Sequence, residues 1–382
     1  MDVIKARGVQ VYEMCDSASN ILPDMIKTFK VFFDAVMDKG DHPSAPYDFV
    51  KQANIDMVKE ISGYEWKNRD KKKMYFPDKS LIKSGDTFQL MSFKGMGPIL
   101  EYGTGGRSAH IVMAIWDTNQ KTGKEELYIA ESRPGGDWPS EGIQRNLFDV
   151  WINNIKLEED SAVWIPLRDE FSKKFDRNKA WKFFKTVEGT KYGFPNILNT
   201  FMDTTDKNFP PLLDINFAYT LVMLLEQHGI AVVTEIMGES LNARLGTKNL
   251  NYAEIAVETA KQNTSFAALM AIPEKEGIDY SIGKSYVCSA LATKLWKEAG
   301  VFGDLDILPG EFTPKDTYQI SLFKDGSDRP DECKKNDPEL PFCQLQGSTL
   351  MELEGFNSIE MYPNMNEKCG GLPPDYFREP RC

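Results

Sequence analysis

"GKSYVCSALATKLWKEAGVF", residues 283–302, sets a cysteine at the mouth of a helix. Ala290, Leu291, Leu295, Trp296 and Ala299 recur at helical spacing, and Gly300 follows as a stop signal. Ser285 reads as the N-cap, which puts Cys288 in the first turn. Unpaired backbone amides and the helix dipole favour a thiolate there. Small cysteines also fill cores, so the same residue has a plain packing role as its competing reading. The remainder of the chain decides between the two.

Upstream of this helix the rhythm is that of strands. "TFQLMSF" (87–93), "AHIVMAIWD" (109–117), "ELYIAES" (126–132) and "SAVWIPL" (161–167) are short, apolar and separated by turns such as "GGRS", "NQKTGKE" and "RPGGDWPSEG". They read as an antiparallel sheet. Helical patterning precedes it at 18–62, returns at 177–193 and again at 215–272, while 199–213 is a loop of Asp, Thr and Pro. The expected fold is α+β. Its parts are a helical N-terminal extension (1–79), a central domain (80–325) with a helical insertion at about 200–275, and a cysteine-rich tail (326–382).

The chain has 382 residues, of which 41% are apolar, enough for a substantial core. A net charge of −12 argues against a nucleic-acid partner, and the basic cluster "KNRDKKK" (67–73) reads as a solvated surface run. The longest apolar run, "FAYTLVMLL" (217–225), falls far short of the about 20 residues of a membrane span, so no stable membrane insertion is expected. "MDVIKARGVQ" carries no apolar signal core.

Cys333, Cys343, Cys369 and Cys382 lie in a tail rich in Pro and turn residues, the kind of segment that needs staples to be ordered. Zinc competes, but the pairs are separated by nine and twelve residues and the tail has no histidine, so two disulfides are expected, with all three pairings open. Disulfides and the sequon at Asn263 point to an oxidising compartment, secreted or in a lysosomal or vacuolar lumen, with the leader absent from the sequence. Cys15 is left unassigned.

A nucleophilic cysteine needs a base, and the chain has only three histidines. His42 falls in a turn, and His228 near a helix end is explained by dipole interaction or packing. His110 opens a strong strand after a Gly-rich loop, where sites tend to form, although a structural role is common there. On the next strand Glu131 ends an apolar run. It reads either as the acid that orients His110 or as a rim charge exposed to water.

"LIKSGDTFQL" (81–90), "GRSAHIVMAI" (106–115), "ELYIAESRP…EGIQRNLFDVW" (126–151) and "YVCSALATKLWKEAG" (286–300) resemble, in that order, the circularly permuted members of the NlpC-type, papain-like superfamily, the YiiX-like proteins among them. The resemblance implies a permuted papain-like fold with Cys288, His110 and Glu131 as catalytic residues, and it matches Gly85 and Asp86 to the opening of the first strand. It covers about 80 to 325 with gaps. The insertion between Gly193 and Ser281, the N-terminal extension and the tail depart from the bacterial pattern, while "EFTPKDTYQ" (311–319) and the tail are similar to a eukaryotic branch of such proteins.

The resemblance further implies a cysteine peptidase or amidase, with a peptide or acyl-amide substrate, cell-wall peptides included, and with no metal or organic cofactor. One alternative is a thiol acyltransferase or lipid hydrolase on the same triad, the 200–272 insertion walling an acyl pocket. The other is a non-catalytic secreted scaffold or binding protein. Tyr286 has two readings, help to the oxyanion or packing.

Overall fold

The structure is a computed structural model. It describes residues 46–361, except 198–237, 271–284 and short breaks at 96, 120–121, 135–139, 158–159, 266–267, 270, 306 and 325, together with scattered positions between 23 and 33. His42, His228, Cys15, Cys369, Cys382 and the run at 217–225 lie outside the described residues.

The chain is α+β. After α1 (Asp48–Ser62) come β1 (Thr87–Met91), α2 (Gly97–Thr104), β2 (His110–Thr118), β3 (Glu125–Arg133), β4 (Gly142–Leu147), α3 (Phe148–Leu157) and β5 (Ser161–Ile165). The order continues with α4 (Asp169–Lys174), α5 (Arg177–Val187), α6 (Glu239–Leu245), α7 (Tyr252–Lys261), α8 (Cys288–Glu298), α9 (Pro314–Gln319), α10 (Asp331–Asn336) and β6 (Cys343–Gln346). Six strands make one sheet, in the order β4-β3-β2-β1-β5-β6, and every neighbouring pair is antiparallel. Among the described residues no helix is long and apolar enough to cross a membrane.

The sheet is covered on both faces, which is why its strands read as nearly unbroken apolar runs rather than alternating ones. Ile111, Met113 and Ile115 of β2, with Val163 and Ile165 of β5, pack with Leu291 and Leu295 of α8 and with Trp181 and Phe184 of α5. Val112, Ala114, Ala162 and Trp164 face the other way, onto Phe148, Trp151 and Ile155 of α3. Trp151 and Trp296 are fully buried.

The Gly-Asp pair at the head of β1 is structural. The buried carboxylate of Asp86 accepts hydrogen bonds from the amides of Lys83 and Leu167, at 3.0 Å each, and from the Trp164 indole at 3.2 Å. Burial pushes its pKa up to about 6, against those three bonds and the charge of Lys83. The carbonyl of Gly85 accepts the indole N–H of Trp296 at 3.0 Å, which fixes α8 to the start of the sheet.

The four expected strands are present, and two more join them. β4 lies in "EGIQRNLF" and pairs with β3. β6 comes from the tail and pairs with β5, so the sheet crosses the boundary expected at 325. α2 occupies a stretch with no predicted element. Cys333 and Cys343 form a disulfide that ties α10 to β6. The basic cluster departs from its expected role at one residue: Arg69 is buried, paired with Asp337 at 2.7 Å. The other basic residues of that cluster are exposed.

Candidate active site

His110 is the first residue of β2, and the loop leading to it is held rigidly. The Ala109 amide donates to the Leu90 carbonyl at 2.8 Å, the Ser108 hydroxyl donates to Gln89 Oε1 at 2.7 Å, and the Arg107 amide donates to the Tyr318 hydroxyl at 3.2 Å. The Arg107 guanidinium is stacked 4.0 Å from the Tyr64 ring centroid and paired with Glu354 at 3.2 Å. Side chains from the N-terminal segment, α9 and the tail thus converge behind the imidazole. His110 itself keeps 16% of its side-chain surface exposed.

Glu131 lies on β3, flanked by Ala130 and Ser132, and is 1% exposed. Its rim-charge alternative is therefore excluded. One carboxylate oxygen, Oε2, meets His110 Nε2 at 3.4 Å, and Oε1 accepts from the Asn146 amide nitrogen at 3.1 Å. Asn146 stands on β4 opposite Ile129, diagonal to Glu131, within reach of a long side chain.

Cys288 is the first residue of α8 and 3% exposed. Its helix begins at Val287, whose side chain makes no capping bond, so the expected Ser285 cap is replaced by an uncapped start. Two groups fix the chain just before it. The Ser132 hydroxyl donates to the Tyr286 carbonyl at 2.7 Å, and the Gly193 amide donates to the same oxygen at 3.3 Å. The Tyr286 ring sits edge-on to Phe183, with centroids 5.8 Å apart.

His110 and Cys288 lie close enough to shift each other's protonation. Burial alone pulls the imidazole down, but its bonds to Cys288 and Glu131 and the thiolate charge outweigh that, and its pKa rises to about 9. Burial pushes the Cys288 thiol up, and it is overcome by the His110 bond and charge and by the backbone amides of Ile111 and Ser289; the net direction is down. The two opposite shifts run in the directions that favour a thiolate beside an imidazolium.

Two consecutive strands and a helix far downstream therefore bring Cys288, His110 and Glu131 together. The sequence did not single out Asn146, or Tyr192, which is buried against Val287 and Ala290 on either side of Cys288. Asn146 carries no signal beyond lying on a short polar strand, and Tyr192 none beyond the glycine after it. Asn263, just past the end of α7, is exposed, with a left-handed φ of 53°. Among the described residues no group of three or more His, Cys, Asp or Glu is placed to hold a metal ion.

No protein-family model, no curated protein and no solved structure matches the chain.

Proposed function

We propose that the protein is a cysteine hydrolase of permuted papain-like type that cleaves amide bonds through Cys288, His110 and Glu131. The observation that carries it is the convergence of a buried cysteine at a helix start, an imidazole coupled to it, and a buried carboxylate 3.4 Å from that imidazole. A cysteine in the core needs no such partners.

His110 Nε2 is taken by Glu131, which leaves Nδ1 for the sulfur. The Cys288 proton passes to Nδ1, and the thiolate attacks the amide carbon, forming a C–S bond and an oxyanion. As the C–N bond breaks, the imidazolium returns that proton to the leaving amine. Water, deprotonated by His110, then attacks the thioester. The carboxylic acid leaves and the thiol is restored. Glu131 holds the imidazole in one orientation throughout, as the acid of a triad does. The backbone amide at the start of α8 offers a hydrogen bond to the oxyanion. Of the three residues, only His110 moves a proton.

The disulfide between Cys333 and Cys343 supports an oxidising compartment, a secreted or lysosomal location in this proposal. Labelling with an amide-derived electrophilic thiol probe tests the function. Wild type is expected to label rapidly at neutral pH and Cys288→Ala not at all. Labelling of wild type no faster than that of free cysteine would return the chain to a non-catalytic scaffold.

A further inference from the structure

We propose that Ser132 is a positioning residue for the nucleophile: its hydroxyl, bonded to the Tyr286 carbonyl, holds the peptide just before Cys288 and so sets where the sulfur stands relative to His110. This rests on the cysteine-hydrolase proposal and adds a residue to it.

α8 starts without a side-chain cap. Val287 stands at its head with φ −70° and ψ 167°, and the helix ladder opens with the Leu291 amide donating to the Val287 carbonyl at 2.9 Å. Uncapped helix ends fray, yet the residue in this place is the one whose sulfur has to meet His110. The restraint comes from the residue before. The Tyr286 carbonyl accepts from the Ser132 hydroxyl at 2.7 Å and from the Gly193 amide at 3.3 Å, so both of its lone pairs are engaged. A Cβ at Gly193 would sit 2.6 Å from the Tyr286 carbonyl carbon and 2.7 Å from the Val287 nitrogen, so only glycine allows this approach.

Both donors trace back to one rung of the sheet. Ser132, fully buried on β3, lies opposite Ile143 of β4. The Ile143 amide donates to the Thr190 carbonyl at 2.9 Å and the Gly189 amide to the Ile143 carbonyl at 2.8 Å, which fixes the segment that leads to Gly193. Ser132 follows Glu131 directly, and successive side chains of a strand point to opposite faces. Glu131 turns to His110 and Ser132 to the entry of α8. Two consecutive residues of one strand thus place the base and the nucleophile. The Ser132 bond is the shorter of the two on the Tyr286 carbonyl and the one made by a side chain, so it can be deleted without altering the backbone. The titratable and charged groups around Cys288 and His110 are Glu131 and Arg133 on β3 and Tyr192, buried against Val287 and Ala290. Replacing Ser132 changes none of these charges, so a shifted titration of Cys288 reports a changed position of the sulfur.

The test reads the rate of iodoacetamide alkylation of Cys288 against pH in the intact protein, with the modified peptide identified by mass spectrometry. Ser132→Ala removes the donor. The expected result is an inflection about one unit above wild type, roughly a tenfold loss of thiolate at pH values below both. Ser132→Cys keeps a weaker donor of similar shape, and its inflection is expected between the two. The thermal midpoint of each variant is measured beside it. A lowered wild-type inflection that Ser132→Ala leaves in place, whatever happens to the midpoint, would overturn the role of Ser132 alone. A wild-type inflection at the free-cysteine value of about 8.5 would overturn the hydrolase proposal and this one together. Should Ser132→Ala fail to fold, Ser132→Cys decides: an inflection equal to that of wild type overturns the role.

Discussion

Asn146 donates its side-chain amide to Glu131 at 3.1 Å, across two neighbouring strands. One oxygen of Glu131 is thereby occupied, and the other is left for His110 at 3.4 Å. The carboxylate cannot rotate without losing one of the two bonds. If the proposed hydrolase activity holds, Asn146→Ala is predicted to lower kcat about tenfold on any amide turned over, with KM little changed. An unchanged kcat would mean that the strand alone holds Glu131 in place.

The opposite shifts of Cys288 and His110 predict a bell-shaped pH profile. Below the lowered Cys288 value the sulfur is protonated and both alkylation and turnover fall. Above about 9 His110 loses its proton, so turnover falls for want of an acid while alkylation of the thiolate persists. Comparing the two profiles on one preparation separates the limbs. His110→Ala should move the alkylation inflection upward, since it removes the bond and the charge that hold the thiol down.

Asp86 offers a stability test away from the site. Replacing it with Asn puts an amide N–H₂ toward donors that now meet carboxylate oxygens. Asp86→Asn is predicted to cost about 1–3 kcal/mol in urea unfolding, the range for leaving buried groups unpaired. Because the folded pKa of about 6 is raised above the ordinary carboxylate value, the Asp86 contribution to stability weakens as pH rises from 4 to 6. The asparagine variant should lose that pH dependence.

Arg69 and Asp337 form a pair with side chains only 1% and 4% exposed. Breaking it from one side leaves a buried charge. Arg69→Met is predicted to destabilise by about 3–5 kcal/mol, and the double variant with Asp337→Leu by much less. Thermal unfolding of the three proteins checks the cycle.

Removing the Cys333–Cys343 disulfide by a double Ala substitution should lower stability by about 2–3 kcal/mol, from the loop entropy of a separation of 10 residues. Urea unfolding of the oxidised protein against the variant measures it.

Much of this architecture is legible from residue patterns, and what is missed has a physical reason. Strands buried on both faces, such as "AHIVMAIWD", announce themselves by apolar density, and β1, β2, β3 and β5 are visible for that reason. β4, "GIQRNL", is half polar, and β6, "CQLQ", is four residues in a tail dominated by turn signals. Cys288, His110 and Glu131 are legible because few residue types can do their chemistry and only three histidines were available. Arg69 is not, because its partner is 268 residues away and a basic run looks like a wet surface until that partner is placed. Tyr192 and Asn146 are placed by tertiary contact, not announced by pattern: each meets the site only once separate segments have come together.

β6 has a consequence for how the protein is made. β6 is the last strand in the chain and pairs only with β5, so β5 has no neighbour on that side until residues 343–346 leave the ribosome and dock. Until then Ala162, Val163 and Trp164 offer an open ladder of amides and carbonyls to any other nascent chain. A premature stop before residue 343 would leave that border unsealed for good, and the shortened product would be prone to self-association before it had a chance to be merely inactive.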